Sequence, residues 1–410
     1  VKMHSIPARD GPHTKRTVFL TVLTVTLSGV LLAILAVGLS GCGSPPDYPT
    51  HLAFPSRTDR LVLKIPETAP PGPCSPGKLE AELAELDGRG GKTAEPLTVS
   101  AEARSSLDQF LRDSFGTPAA PTIRLVNDDE VMAAADRMGL TNDSLTEAGK
   151  LFRKHCQGCH GLPGDGRGPA GLFINPYPRD FRRGSFKFVS TGEGMKPRRA
   201  DLLRTITEGM KGTTAMPSFG LQPEPERELL ARYATYLAIR GQVEFQTLAE
   251  QVSASGAGEV VPSASMRLKE VLAEWEKAEH APALPTAPDD GEPRSKTHEA
   301  AVRRGYELFT AKTGTECLKC HGEFGRKPLL RYDIWGTIAR PADFTATNLK
   351  GGTRPEDVFA RIRGGIAAVG MPAHPNLTER QVWDLVRFVR SVPYPRELPE
   401  GIREVVHPNP

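Results

Sequence analysis

The sequence predicts a mainly α-helical protein, with two tandem and related helical domains joined by a linker. Three observations carry that expectation. A pentapeptide, Cys156-Gln157-Gly158-Cys159-His160, recurs as Cys317-Leu318-Lys319-Cys320-His321. Apolar and small residues ahead of each copy are spaced for one helix face: Leu145, Gly149, Phe152 and Cys156 in the first, Val302, Gly305 and Phe309 in the second. Downstream matches recur at near-constant offset. Pro178-Arg179-Asp180-Phe181 returns as Pro341-Ala342-Asp343-Phe344, Asp201-Leu202-Leu203 as Asp357-Val358-Phe359, and Ala215-Met216-Pro217 as Gly370-Met371-Pro372. Such drift around one offset marks a duplicated domain with loop insertions and deletions.

A chain of 410 residues suits two to three domains. Hydrophobic residues at 39% and charged residues at 25% are ordinary for globular material. The 40 Gly and 37 Pro point to abundant loops and linkers. A net charge of +3 is too small to argue for a nucleic-acid partner.

C-x-x-C-H is the attachment pentapeptide for c-type haem. The two cysteines add to the two vinyl groups of one porphyrin, and the adjacent histidine takes an axial position on the iron. With 6 Cys and 10 His in the chain, one such pentapeptide arises by chance about two times in a thousand. A zinc site from the Cys pairs leaves the histidine unexplained in both copies, and a dithiol redox motif has no need of it. The expectation is two covalently bound haem c groups, on Cys156, Cys159 and His160, and on Cys317, Cys320 and His321.

Residues 1–42 read as an export signal: a basic start, then the uncharged run Val18–Leu39. Leu39-Ser40-Gly41-Cys42 resembles the lipobox of bacterial lipoproteins, which implies a lipid on Cys42. The alternative is an uncleaved transmembrane anchor, since 22 residues are enough to span. Either way the expected location is the cell-envelope side, attached to a membrane. Residues 43–98 read as a Pro/Gly-rich stalk containing an ordinary thiol, Cys74, and residues 99–141 as a short helical segment. The first domain covers 142–242, with a capping box at Ser144–Glu147 and an exit helix over Arg227–Arg240 stopped by Gly241. Residues 243–297 form a linker with one helix around Met266–Ala278. The second domain covers 298–395, its exit helix capped at Thr378 and ended by Pro393, and 396–410 is a loose tail.

In the first domain, a glycine on the entry helix facing an aromatic on the exit helix resembles the core of class I cytochromes c, and the resemblance covers about residues 142–242 and 298–395. The resemblance implies that an axial methionine sits in the loop before the exit helix. Met216 and Met371, each followed by proline at matching positions, are the candidates. Met195 and Met210 are rivals in the first domain, and His374 in the second. Thioether ligation raises a haem's potential. The glycines from Gly164 to Gly171 superficially suggest a phosphate loop, but no strand precedes them. By the resemblance, the carbonyl of Pro169 there accepts the Nδ1 proton of His160. The second domain lacks this loop.

Two haems with two protein ligands each imply a one-electron relay between redox partner proteins, donor and acceptor unnamed. The alternatives are a di-haem peroxidase, which needs one open iron site, and a haem subunit of a larger oxidase or dehydrogenase complex. Between Arg179 and Lys211, nine Lys/Arg face four acids. This basic segment is either a solvated loop or a rim that steers an acidic partner to the first haem.

Overall fold

Helix runs alternate with glycine- and proline-rich connections throughout the computed structural model, which describes residues 47–57, 99–174, 176–210, 216–253, 259–335 and 337–408. The run 18–39, Cys42 and Cys74 lie outside the described residues. Among those described, no helix is long and apolar enough to cross a membrane.

Helix α1 (Ala101–Phe115) starts at Ser100, whose hydroxyl accepts from Ala103 N–H. A two-residue hairpin, β1 (Gly116–Thr117) and β2 (Ala120–Pro121), leads to α2 (Asp129–Arg137). The entry helix α3 (Asn142–His155) is capped by Thr141, which accepts from Ser144 N–H at 3.3 Å. The expected box at Ser144 therefore sits inside the first turn, where the Ser144 hydroxyl donates instead to the Gly139 carbonyl at 2.8 Å. The single-turn α4 (Gln157–His160) follows, then α5 (Arg199–Glu208) and α6 (Glu224–Ser253).

Gly241 does not stop α6, which continues through it to Ser253. The glycine is there for space. A Cβ on it would lie 2.4 Å from Arg182 Cβ, so its absence lets the Arg182 backbone press against the helix. Helix α7 (Val260–Glu279) then packs back on α6 and on α1 and α2. One core joins Leu107, Phe110 and Phe115 of α1 to Leu145 and Phe152 of α3, Tyr233 of α6 and Trp275 of α7. The segment expected as a separate helical piece and the expected linker as far as α7 are thus part of the first domain's body, while Leu284 and Ala287 near the linker's end pack on the second core.

The near end of the expected stalk is also attached. Tyr48 and Phe54 are buried, Tyr48 Oη donates to Gln157 Oε1 at 2.8 Å, and Arg57 N–H donates to Glu244 Oε1 at 2.7 Å.

The second domain repeats the plan with α8 (Lys296–Thr310), α9 (Cys317–Cys320), the hairpin β3 (Arg331–Tyr332) and β4 (Ile338–Ala339), α10 (Pro355–Gly364) and α11 (Glu379–Ser391). Thr378 and Gln381 cap α11 reciprocally, as expected. The tail is not loose. It forms α12 (Glu400–Val406), whose Ile402 and Val406 join Leu398, Val302, Phe309 and Phe388 in the core.

The repeated aspartates have one structural job. Asp201 and Asp357 stand third in α5 and α10, and their carboxylates accept from the backbone N–H of Arg198 and Arg354 at 3.2 and 3.3 Å. A carboxylate there also complements the positive helix start.

Candidate haem centres

Each pentapeptide is wound into one helical turn. His160 N–H donates to the Cys156 carbonyl at 2.8 Å and His321 N–H to the Cys317 carbonyl at 2.9 Å. An i to i+4 relation puts the first cysteine and the histidine on one helix face, with the second cysteine beside them. None of the four motif cysteines is in a disulfide.

His160 Nδ1 lies 3.1 Å from the Arg179 carbonyl, and His321 Nδ1 lies 3.1 Å from the Ala342 carbonyl. A carbonyl can only accept, so each Nδ1 carries the proton and each Nε2 keeps the lone pair a metal needs. Burial pushes His160 down to about 4 and lowers His321 as well, which keeps both rings unprotonated at Nε2.

The acceptor is therefore not Pro169, which is exposed. The glycine loop is already committed to the motif through its donors. Gly166, Gly168 and Ala170 N–H bond to the carbonyls of His160, Cys159 and Gly158 at 2.9, 3.1 and 2.8 Å. A Cβ on Gly168 would lie 2.4 Å from two of the motif's carbonyls.

The acceptor comes instead from the repeated Pro-x-Asp-Phe segment, and every member of that tetrapeptide after the proline has a role. The second residue supplies the carbonyl. The aspartate makes an Asx turn that fixes the loop: Asp180 Oδ1 accepts from Arg182 N–H, and Asp343 Oδ1 from Thr345 N–H, both at 2.9 Å. The phenylalanine packs on the imidazole, Phe181 on His160 at 4.6 Å between centroids and Phe344 on His321 at 4.5 Å. The repeat itself was the signal for these residues.

The second domain lacks the glycine loop yet keeps its backbone course. Phe181 N–H bonds to the Gly164 carbonyl at 2.8 Å, and Phe344 N–H to the Phe324 carbonyl at 3.0 Å. Gly164 has φ +75°, while Glu323 and Phe324 adopt φ +49° and +58°, a region that strains a residue with a Cβ.

The two Met-Pro loops occupy equivalent places. Met216 and Met371 carbonyls accept from Met210 N–H at 3.1 Å and Ile366 N–H at 2.9 Å, each the residue after the glycine that ends α5 or α10. Those glycines, Gly209 and Gly365, have φ +67° and +66°, and a Cβ on either would lie 2.6 Å from the loop's backbone. Of the rivals, Met210 corresponds to Ile366, so it has no thioether counterpart. Met195 lines a cleft with Phe359 and Arg363 of α10. His374 N–H is tied to the Ile362 carbonyl at 3.2 Å.

The described cations of the basic segment are engaged within the chain, four of the eight at the boundary with the second domain. Arg183 donates to the Ile334 carbonyl at 2.7 Å, and Lys187 pairs with the fully buried Asp333 at 2.9 Å. Arg179 lies over the Trp335 ring at 3.5 Å. Arg182 pairs with Asp180 at 2.8 Å, Lys196 with Glu274 at 3.4 Å, Arg199 with Glu228, and Arg204 with Asp357. Arg198 donates to the Ala281 and Pro282 carbonyls. Counting net charge along the segment could not reveal this, because the partners are 80 or more residues away in sequence for several of them.

The donor set fits a covalently held haem in each domain: two thiols, an imidazole with a free Nε2, and an aromatic wall. Bound there, the group supplies a one-electron couple at its iron.

Two stretches of the chain, residues 143–236 and 300–389, match the model of the family described as "Cytochrome C oxidase, cbb3-type, subunit III". They coincide with the two pentapeptide-bearing domains, which are c-type cytochrome domains, each binding one haem c. No curated protein matches the chain. Among solved structures, it is similar to a chain of the Kuenenia stuttgartiensis reducing HAO-like protein complex. That match has 26% sequence identity and a TM-score of 0.42, and covers 59% of this chain and 93% of that one.

Proposed function

We propose that this protein is an exported, membrane-tethered di-haem cytochrome that relays single electrons between larger redox partners. The observation that carries the proposal is the duplication of the whole ligand cradle. In both domains a backbone carbonyl orients the histidine, a phenylalanine packs on it, and a Met-Pro loop closes on the glycine that ends the preceding helix. An enzyme of the peroxidase type needs its two centres to differ, one of them with a releasable ligand. Met216 and Met371 each follow the same helix-ending glycine turn, which supports the reading that both centres take two protein ligands and pass electrons.

The chain's own residues supply orientation and exclusion. The Arg179 and Ala342 carbonyls hold the imidazole protons at Nδ1, and Phe181 and Phe344 keep water from the rings. The membrane tether rests on Val18–Leu39 and Cys42. A second reading, favoured by the description of the matched family, is that the same relay works as a haem subunit of a larger oxidase complex. The two differ in assembly and agree in chemistry.

The visible spectrum of the reduced protein with and without carbon monoxide tests the relay. Two low-spin centres that do not take up carbon monoxide are expected. One high-spin, carbon monoxide-binding centre would support the peroxidase alternative instead.

A further inference from the structure

Both domains orient their histidine with the same tetrapeptide, but among the described residues only the first is gripped from outside. In the second domain the acceptor residue is Ala342, whose methyl group offers nothing charged or polar to hold. In the first it is Arg179, and the second domain reaches across to it. The indole of Trp335 lies under the Arg179 guanidinium at 3.5 Å. The same indole donates its Nε1–H to the Asp180 carbonyl at 3.1 Å. The carbonyl that accepts from His160 belongs to the peptide unit joining Arg179 to Asp180. That unit is therefore pinned on both sides by one tryptophan.

The tryptophan is itself held firmly. Asp333, fully buried, accepts from Trp335 N–H at 3.1 Å and from Thr337 N–H at 2.9 Å, and from the Thr337 hydroxyl at 2.6 Å. Its carboxylate also faces Lys187 at 2.9 Å and Arg179 at 4.0 Å. The turn that displays Trp335 and the cations that meet it thus share one buried anion.

We propose that Trp335 of the second domain is a positioning residue for the haem ligand of the first, His160. It fixes the plane of the 179–180 peptide and so sets the direction and strength of the Nδ1–H bond. A hydrogen bond to the distal nitrogen of a metal-bound histidine makes the ring a stronger donor and fixes its orientation. The first centre's potential and ligand-plane angle then depend on the second domain being docked, whereas the second centre carries no reciprocal dependence. The inference rests on the reading of His160 as a haem ligand.

The test is a redox titration and low-temperature electron paramagnetic resonance of the full-length holoprotein, with haem counted per chain. In Trp335→Leu, Arg179 keeps Asp333 as a charge partner, so its positive charge stays and only the grip is lost. The chain should still bind two haems. One of the two potentials should rise and one of the two low-spin ferric signals should move, with the other potential and signal unchanged. Trp335→Phe keeps a ring face under Arg179 without the N–H, and should restore part of the shift. It also carries the test if the leucine variant does not fold. Arg204→Gln loosens the same domain boundary at the Asp357 pair, away from Trp335, and should leave both potentials in place. Movement of both centres or of neither, or the same shift from Arg204→Gln, would overturn the proposal. An unmodified protein with no haem would sink the underlying reading itself, which the haem count reveals separately.

Discussion

Gly305 of α8 and Asp384 of α11 meet backbone to backbone: a Cβ on Gly305 would lie 2.0 Å from the Asp384 carbonyl oxygen and 2.7 Å from Phe388 Cβ. The corresponding Gly149 of α3 has the Tyr233 ring as its nearest neighbour, at 3.2 Å. A ring can tilt and a helix backbone cannot, so the two glycines are unequal. Gly305→Ala should lower stability by about 3 kcal/mol and Gly149→Ala by about 1 kcal/mol. Denaturant unfolding of the holoprotein, followed by aromatic fluorescence, measures both.

Glu323 is exposed and holds φ +49° where the first domain has its glycine loop. Its pairing with Lys327 is between exposed groups and contributes little. Glu323→Gly should therefore raise the second domain's stability by about 1 kcal/mol. A loss of stability on that substitution would show that the turn is not strained.

Both of these contacts show what the sequence made legible and what it hid. The entry and exit helices, the Thr378 cap and the crossing of Gly149 with Tyr233 follow from local chemistry and helical spacing, and the structure has them. The pentapeptides named the thiols and the histidines unaided. Gly241 misled because a glycine late in an amphipathic run usually ends a helix, whereas this one makes room for Arg182 from 59 residues away. Pro169 misled for a similar reason. The acceptor of the His160 proton is a backbone carbonyl, which any residue type can supply, so only the repetition of Pro-x-Asp-Phe pointed to it. Several partners of the basic segment were hidden because they lie 80 or more residues away, some of them in the second domain.

Asp357 is buried at the domain boundary. Burial alone would raise its carboxyl, but the Arg354 hydrogen bond and the Arg204 charge outweigh that and hold it below the ordinary 3.8. A depressed carboxyl stabilises the fold above its ordinary value and loses that contribution as pH falls through the lowered one. Asp357→Asn should cost about 2 kcal/mol near pH 7. The gap between variant and unmodified protein should close only below pH 3.8. A gap that persists at acid pH would assign the loss to shape and not to charge.

Arg182 is 4% exposed and forks onto Asp180 at 2.8 and 3.0 Å. Arg182→Glu would bury two carboxylates together beside the His160 cradle and should cost at least about 3 kcal/mol. Because the segment's described cations are engaged within the chain, electron exchange through the first centre should change less than about threefold between low and physiological salt. A steep fall in rate with salt, measured by stopped flow, would restore the steering role to this segment.

The central claim is that two cradles hold two covalent haems, and the pyridine haemochrome spectrum of acid-acetone-extracted protein measures that count directly. Extraction removes haem that is not covalently attached. Two haems per chain are predicted, falling to about one in Cys159→Ala and again to about one in Cys320→Ala. An extracted protein that retains no haem would contradict the account.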